Sequence, residues 1–214
     1  MNMRVCLAST SPARLMLLRQ AGIEPLTLSP DVDEDAVAAA AAAERGAELA
    51  PEELVLLLAR AKATDVARRL SEEGEFDGLV IGGDSMFALG GRVYGKPYTQ
   101  DEATRRWQEM RGATGILHSG HSVFRVSPGA APVEATAVAA ASVTFADDID
   151  DEEIAAYVAS GEPLHVAGAF TVDSLGGAFI TRVDGDPSTV VGMSLSTIRR
   201  LAGELGVRWT DLWS

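Results

Sequence analysis

Leu79-Val80-Ile81-Gly82-Gly83-Asp84-Ser85 decides the fold class of this chain, with Gly95-Lys96-Pro97 a short loop behind it. A brief apolar run bounded by turn residues reads as a buried strand, and two glycines followed by an acid leave Asp84 beside unusually open backbone. Ligands of open α/β sheets collect at strand ends of this kind. An aspartate placed there suits a divalent cation or a water proton, and Lys96 could meet an anion bound alongside. A turn-capping aspartate and a surface lysine account for the same letters equally well.

On either side of that stretch the chain alternates strands with helices. Arg4 to Ala8 reads as a strand running into Ser9-Thr10-Ser11-Pro12. Ser11 is an N-cap with Pro12 at the first helical position, and Gly22 ends the helix. Such a helix entrance offers backbone N–H groups and a positive dipole end to phosphate, with Arg14 in the first turn to add a bidentate charge contact. An ordinary cap with an exposed arginine is the plainer account. Pro51-Glu52-Glu53 opens a long helix on which Leu54, Leu58, Lys62 and Val66 recur every four residues. Lys62 therefore lies on or beside the apolar face, where an ammonium group either snorkels to water or meets a fixed anion.

The remaining stretches divide into caps, turns and strands. Asp31-Val32-Asp33-Glu34-Asp35 is an acidic knot, and the alanine run from Ala36 to Ala43 behind it reads as helix or low-complexity insert. One of those acids could join Asp84 on a metal, although most acidic runs are merely solvated. Thr99 with Glu102 forms a capping box for a helix through Trp107 and Met110 that stops at Gly112. His118 and His121 fall on opposite faces of a strand, which disfavours a shared metal. Ser127-Pro128-Gly129 turns into strand-like alternation from Val133 to Phe145. The acids from Asp147 to Glu153 cap the helix of Ile154, Tyr157 and Val158, which Gly161 ends. A strand from Ala178 to Val183 and a last helix from about Ser196 to Leu205 follow. Between them, glycines separating short apolar runs indicate turns pressed against a ligand or another backbone.

The totals bound the function. With 214 residues and 47% hydrophobic content, one domain over residues 1–214 is expected. The single Cys6 excludes disulfide scaffolds and cysteine zinc sites, and reads as a small buried hydrophobe. No apolar segment approaches a membrane span and no signal-peptide core is present, so a soluble, cytoplasmic protein is expected. Thirty-one acids against 18 bases give a net charge of −13, which repels nucleic acid and anionic lipid. A polyanionic small substrate then needs a local basic cluster or a metal.

Leu7-Ala8-Ser9-Thr10-Ser11-Pro12-Ala13-Arg14, Ala59-Arg60-Ala61-Lys62-Ala63, Ile81-Gly82-Gly83-Asp84-Ser85, Tyr94-Gly95-Lys96-Pro97 and Val166-Ala167-Gly168-Ala169-Phe170 stand in an order and spacing that resembles the Maf family of nucleoside triphosphate pyrophosphatases. Tyr157 to Leu164 and Gly185-Asp186-Pro187 to Val191-Gly192 extend the likeness over nearly the whole chain. The resemblance implies an elongated, two-lobed α/β fold, a mixed sheet flanked by helices around a central nucleotide cleft. It implies hydrolysis of a nucleoside triphosphate between the α and β phosphates, with a role in removing non-standard nucleotides, and a homodimer as the assembly. Asp84 matches the catalytic aspartate; Ser9, Arg14, Lys62 and Lys96 match substrate-contacting positions, with Lys62 and Lys96 assisting catalysis and Ser11 at the phosphate-binding helix entrance. Asp33 falls where an acid stands near a Mg²⁺ or Mn²⁺ that Asp84 also holds. Asp173 stands where relatives carry glutamine or glutamate according to the base they prefer. Asp173 is shorter than either, and Ala13 replaces a larger side chain, so the base is open. Two other readings compete: a metal-dependent phosphatase releasing orthophosphate, and a nucleotide-binding regulator of division control that binds without turnover.

Overall fold

A computed structural model describes residues 3–214. Fourteen regular elements follow in the order β1 (Arg4–Ala8), α1 (Pro12–Gln20), β2 (Leu26–Thr27), α2 (Glu34–Arg45), α3 (Pro51–Glu73), β3 (Gly78–Leu89), β4 (Arg92–Tyr94), α4 (Gln100–Met110), β5 (Thr114–Val126), β6 (Val133–Phe145), α5 (Asp151–Ala159), β7 (Ile180–Asp184), α6 (Pro187–Val191) and α7 (Leu195–Glu204). The strands follow the order β2-β1-β3-β5-β6-β7, with β4 paired to β3. Both pairings of β1 are parallel, whereas β3 with β4 and β6 with β7 are antiparallel, so the sheet is mixed as expected.

The described residues divide into two compact units. One runs to Asp84 and adds Ser119–Ala139 and Gly192–Ser214; the other comprises Ser85–His118 and Ala140–Val191. The first unit's core packs Cys6, Ala8 and Val80 from the strands against Val66, Ala67 and Leu70 of α3. Burial pushes the Cys6 thiol up to about 11, the signature of a packed hydrophobe. The second unit is built on aromatic rings in edge-to-face contact. Phe145 lies 5.1 Å from Phe170 and 5.5 Å from Trp107, whose ring also meets Tyr157 at 5.1 Å. Trp107 Nε1 donates to the Ala169 carbonyl at 2.8 Å, holding a backbone with the positive φ of 62° that an alanine rarely adopts.

Capping chemistry sets most element boundaries. Ser11 Oγ accepts from Arg14 N at the start of α1, and Gly22 follows its end with φ 80°. Asp150 and Glu153 make a reciprocal capping box on α5. At α4 only half of the expected box forms: Thr99 accepts from Glu102 N, while the Glu102 carboxylate bonds Arg105 and Arg106 instead. The reason is charge, because a guanidinium outcompetes a backbone N–H for a carboxylate. The alanine run is helix α2, capped by Asp33 and with no fully buried residue along its length. The last strand begins at Ile180 rather than Ala178, since residues 175–179 form a 3₁₀ turn that places the Phe179 ring 5.5 Å from Trp107. The final helix starts one residue earlier than expected, at Leu195, with Ser194 as N-cap.

Candidate active site

Strand β3 ends its passage through the first unit at Asp84, and α3 lies against it closely enough to exclude any side chain between them. A Cβ on Gly82 would stand 2.6 Å from the Ala59 carbonyl oxygen, and one on Gly120 of β5 only 2.2 Å from that of Val55. Both glycines are therefore requirements of helix-on-sheet contact. This contact brings the apolar face of α3, and Lys62 with it, down onto Asp84.

Lys62 does not snorkel. Its Nζ lies 2.8 Å from Asp84 Oδ1 and 2.8 Å from Glu34 Oε1. Lys62 and Asp84 are 7% and 8% exposed, whereas the Glu34 side chain is half exposed at 50%. Burial pushes the Asp84 carboxyl above its ordinary value; the charges of Lys62 and Arg14 act against that rise, and Glu34 adds to it. Arg14 is buried as well, and burial weakens its hold on its proton while Asp84 and Glu34 strengthen it.

Arg14 is oriented from two sides. Its Nε donates to the Gly192 carbonyl at 2.9 Å and Nη1 donates to Ser9 Oγ at 3.4 Å. Ser9 Oγ also accepts from Ser11 N at 3.1 Å. Two backbone N–H groups of the α1 entrance, those of Ser11 and Arg14, are thus already met by serine hydroxyls. Behind Asp84, the buried Ser119 Oγ donates to its carbonyl and to that of Gly192, both at 3.3 Å. His121 Nε2 accepts from Ser194 N at 2.9 Å, so this histidine is a structural partner of the α7 cap.

Ser9, Ser11, Arg14, Lys62 and Asp84 are thus gathered in the first unit. Asp33 is nearby in sequence, but its Oδ1 accepts from Ala36 N as the α2 cap, and the acid against Lys62 is its neighbour Glu34. Lys96 and Asp173 belong to the second unit, each exposed, Lys96 on the segment before α4 and Asp173 on the loop before the 175–179 turn. Ser119 carries no signal in the sequence; Glu34 is legible only as one acid of the 31–35 knot that could join Asp84 on a metal, and Gly192 only as part of the family likeness.

The cluster can do three things chemically. Asp84 can accept a proton, Lys62 and Arg14 can stabilise negative charge, and the two carboxylates offer hard oxygen donors. Arg14 and Lys62 balance Asp84 and Glu34, so the group is neutral as it stands.

A model of the Maf family, described as Maf-like protein, matches residues 4–205. The nucleoside triphosphate pyrophosphatase of Leifsonia xyli subsp. xyli is 57% identical over 212 residues, covering 99% of this chain and 97% of the relative. That of Rhodococcus jostii is 50% identical over 208 residues, covering 97% and 95%. Among solved structures, the Staphylococcus aureus Ham1 protein aligns with a TM-score of 0.34 and 9% identity over 67% of this chain and 72% of that one. Matched from Arg4 to Leu205 by the family model, and along almost its whole length by these relatives, the chain belongs to the Maf family.

Proposed function

We propose that this chain is a nucleoside triphosphate pyrophosphatase that cleaves between the α and β phosphates to give a monophosphate and pyrophosphate. The observation that carries the reading is the buried Lys62 ammonium held at 2.8 Å by both Asp84 and Glu34. A buried ammonium–carboxylate pair inside a helix–sheet contact, Lys62 with Asp84, adds little to stability, and a carboxyl perturbed by burial and a specific charge partner marks a site of chemistry.

The donor set fits a divalent cation. Two carboxylates, Asp84 and Glu34, share the Lys62 ammonium as their common neighbour, each with a second oxygen beyond that contact, and no group of three or more ligating side chains gathers among the described residues. That is the pattern for Mg²⁺ or Mn²⁺, which take one or two carboxylates and complete their shell with water and substrate phosphates. Held by Asp84 and Glu34, with Asp33 one residue away, the cation would supply neutralising charge at the phosphate oxygens. It also answers the charge balance: the neutral cluster cannot by itself attract a substrate of roughly four negative charges.

The chain's own residues supply the rest. Asp84, its proton affinity raised by burial, takes a proton from the attacking water on the carboxylate oxygen that does not face Lys62. Lys62 and Arg14 stabilise negative charge as the anhydride breaks, and Lys96 contributes a further cation. Ser9 fixes the Arg14 guanidinium, while Ser11 begins the helix whose positive end faces phosphate. Asp173, acceptor-only, meets the base.

Product analysis tests the proposal. A panel of nucleoside triphosphates is incubated with Mg²⁺ or Mn²⁺, and phosphate is assayed with and without inorganic pyrophosphatase. Monophosphate with pyrophosphatase-dependent phosphate is expected. Orthophosphate released directly would make the protein a phosphatase, and binding without product would make it a sensor.

A further inference from the structure

Glu162 collects five hydrogen bonds on one carboxylate. Oε1 accepts from Tyr157 Oη at 2.9 Å, from Gly176 N at 3.0 Å and from Thr171 Oγ1; Oε2 accepts from Ser174 Oγ at 2.7 Å and from Leu175 N at 3.2 Å. Four of those donors lie between Thr171 and Gly176, on either side of Asp173. The fifth, Tyr157, is packed against Trp107 and Phe179 at 5.1 and 5.6 Å, so Glu162 ties this loop to the aromatic core. There is no slack beneath it, because a Cβ on Gly176 would stand 2.5 Å from Tyr157 Oη and 2.7 Å from the Thr171 carbonyl oxygen.

An aspartate in a loop ordinarily bonds the backbone N–H two residues on. For Asp173 that donor is Leu175 N, and Glu162 has taken it. Asp173 is exposed and accepts no hydrogen bond among the described residues, and Leu175 beside it is 58% exposed. The loop therefore holds out a carboxylate without its local partner next to an apolar side chain. A planar ring with N–H donors on its edge is the ligand that complements such a pair.

We infer that Glu162 is a positioning residue for base discrimination: by occupying four donors that flank Asp173, Leu175 N among them, it leaves that carboxylate as an acceptor for N–H groups on the nucleobase edge. This rests on the reading of Asp173 as the residue that meets the base. Glu162 touches no substrate; it acts through the loop. An amide in its place brings N–H donors to face donors, so the loop relaxes and Leu175 N returns to Asp173.

The test compares kcat/KM across triphosphates whose bases present N–H donors, guanine type, and those that present mainly acceptors, for wild type, Asp173→Asn, Glu162→Gln and Thr171→Val. Asp173→Asn is expected to change the ranking of bases. Glu162→Gln is expected to cut the preference for donor-edged bases by about tenfold, the equivalent of one hydrogen bond, with the poorest substrate little affected. Thr171→Val, which removes one of the five donors, is expected to give a smaller loss in the same direction. If Asp173→Asn shifts the ranking and Glu162→Gln only lowers the melting temperature, Glu162 is structural and the inference is overturned. Should Glu162→Gln fail to fold, Thr171→Val decides, and an unchanged ranking overturns it. A ranking unmoved by Asp173→Asn overturns the reading beneath.

Discussion

Asp84 and Glu162 are carboxylates in different units, the first buried and the second half-buried, and their proton affinities move in opposite directions. Burial is the largest single influence on both, and it pushes both up. For Asp84 burial prevails even though Lys62 bonds it and Arg14 adds its charge. For Glu162 the hydrogen bonds of Thr171, Ser174, Gly176 N and Tyr157 prevail, and the carboxyl falls to about 2. Depth of burial and number of donors decide together. Asp84 is buried with one ammonium contact, whereas Glu162 is only half-buried and meets five donors, each hydrogen bond to a charged group contributing ~1.5–3 kcal/mol. A carboxylate saturated with donors is locked as an anion and suits a structural post. One left short of them keeps an appetite for protons and cations, which is what a base or a metal ligand requires.

The largest effect expected from breaking this contrast is at Asp84. Asp84→Asn should lower turnover ~10²–10⁴-fold, and retention of more than about a tenth of activity would rule it out as the base. Its stability should behave differently. Folded Asp84 keeps its proton to higher pH than the unfolded chain, so its contribution is fully present below the ordinary 3.8 and is lost as pH rises through the raised value. Asparagine is free of that loss but leaves buried Lys62 and Arg14 without its counter-charge, so denaturant titrations should find the variant's deficit against wild type narrowing as pH rises through the raised value.

Lys62→Met should cost about 3 kcal/mol in the same titrations, because two carboxylates lose the ammonium between them. It should also raise the Asp84 proton affinity further. The acid limb of residual kcat then moves to higher pH, an effect absent if Lys62 only packs.

Glu162→Gln should destabilise the fold by about 2 kcal/mol. Here the sign is reversed. A lowered carboxyl contributes stability that is present above the ordinary 4.5 and lost as pH falls through about 2. Wild type should therefore lose its advantage over the glutamine variant as acid unfolding is followed from pH 5 to pH 2, and parallel curves would show that the five donors do not hold the charge.

Glu34→Gln should have the smallest effect on stability, under ~1 kcal/mol, since its side chain is half exposed. Its charge nevertheless raises Asp84, so removing it should shift the acid limb of kcat to lower pH, opposite to Lys62→Met. Shifts in the same direction for the two variants would separate the limb from Asp84.

Local chemistry made much of this protein readable along the chain. Ser11 with Pro12, Thr99, and Asp150 with Glu153 announce helix starts because a cap bonds backbone only two or three residues away. The period of α3 placed Lys62 on a buried face, and the glycines before Asp84 marked close backbone contact, for the same local reason. What the buried ammonium would meet was beyond such reading. Its partners, Glu34 and Asp84, stand 28 residues before and 22 residues after it, and only the docking of α2 and β3 on α3 brings them together. The alanine run is helix α2, half-buried along Val37, Ala38, Ala41 and Ala42, and its first turn carries Glu34. Glu162 is the same lesson in the second unit. Nothing beside it in sequence distinguishes it from a surface acid, because its donors converge only when the 171–176 loop folds back over Tyr157. Sequence determined where elements begin and which faces they bury, through interactions a few residues long. Tertiary structure decided which charges are neighbours, because Coulomb and hydrogen-bond energies depend on distance in space rather than along the chain.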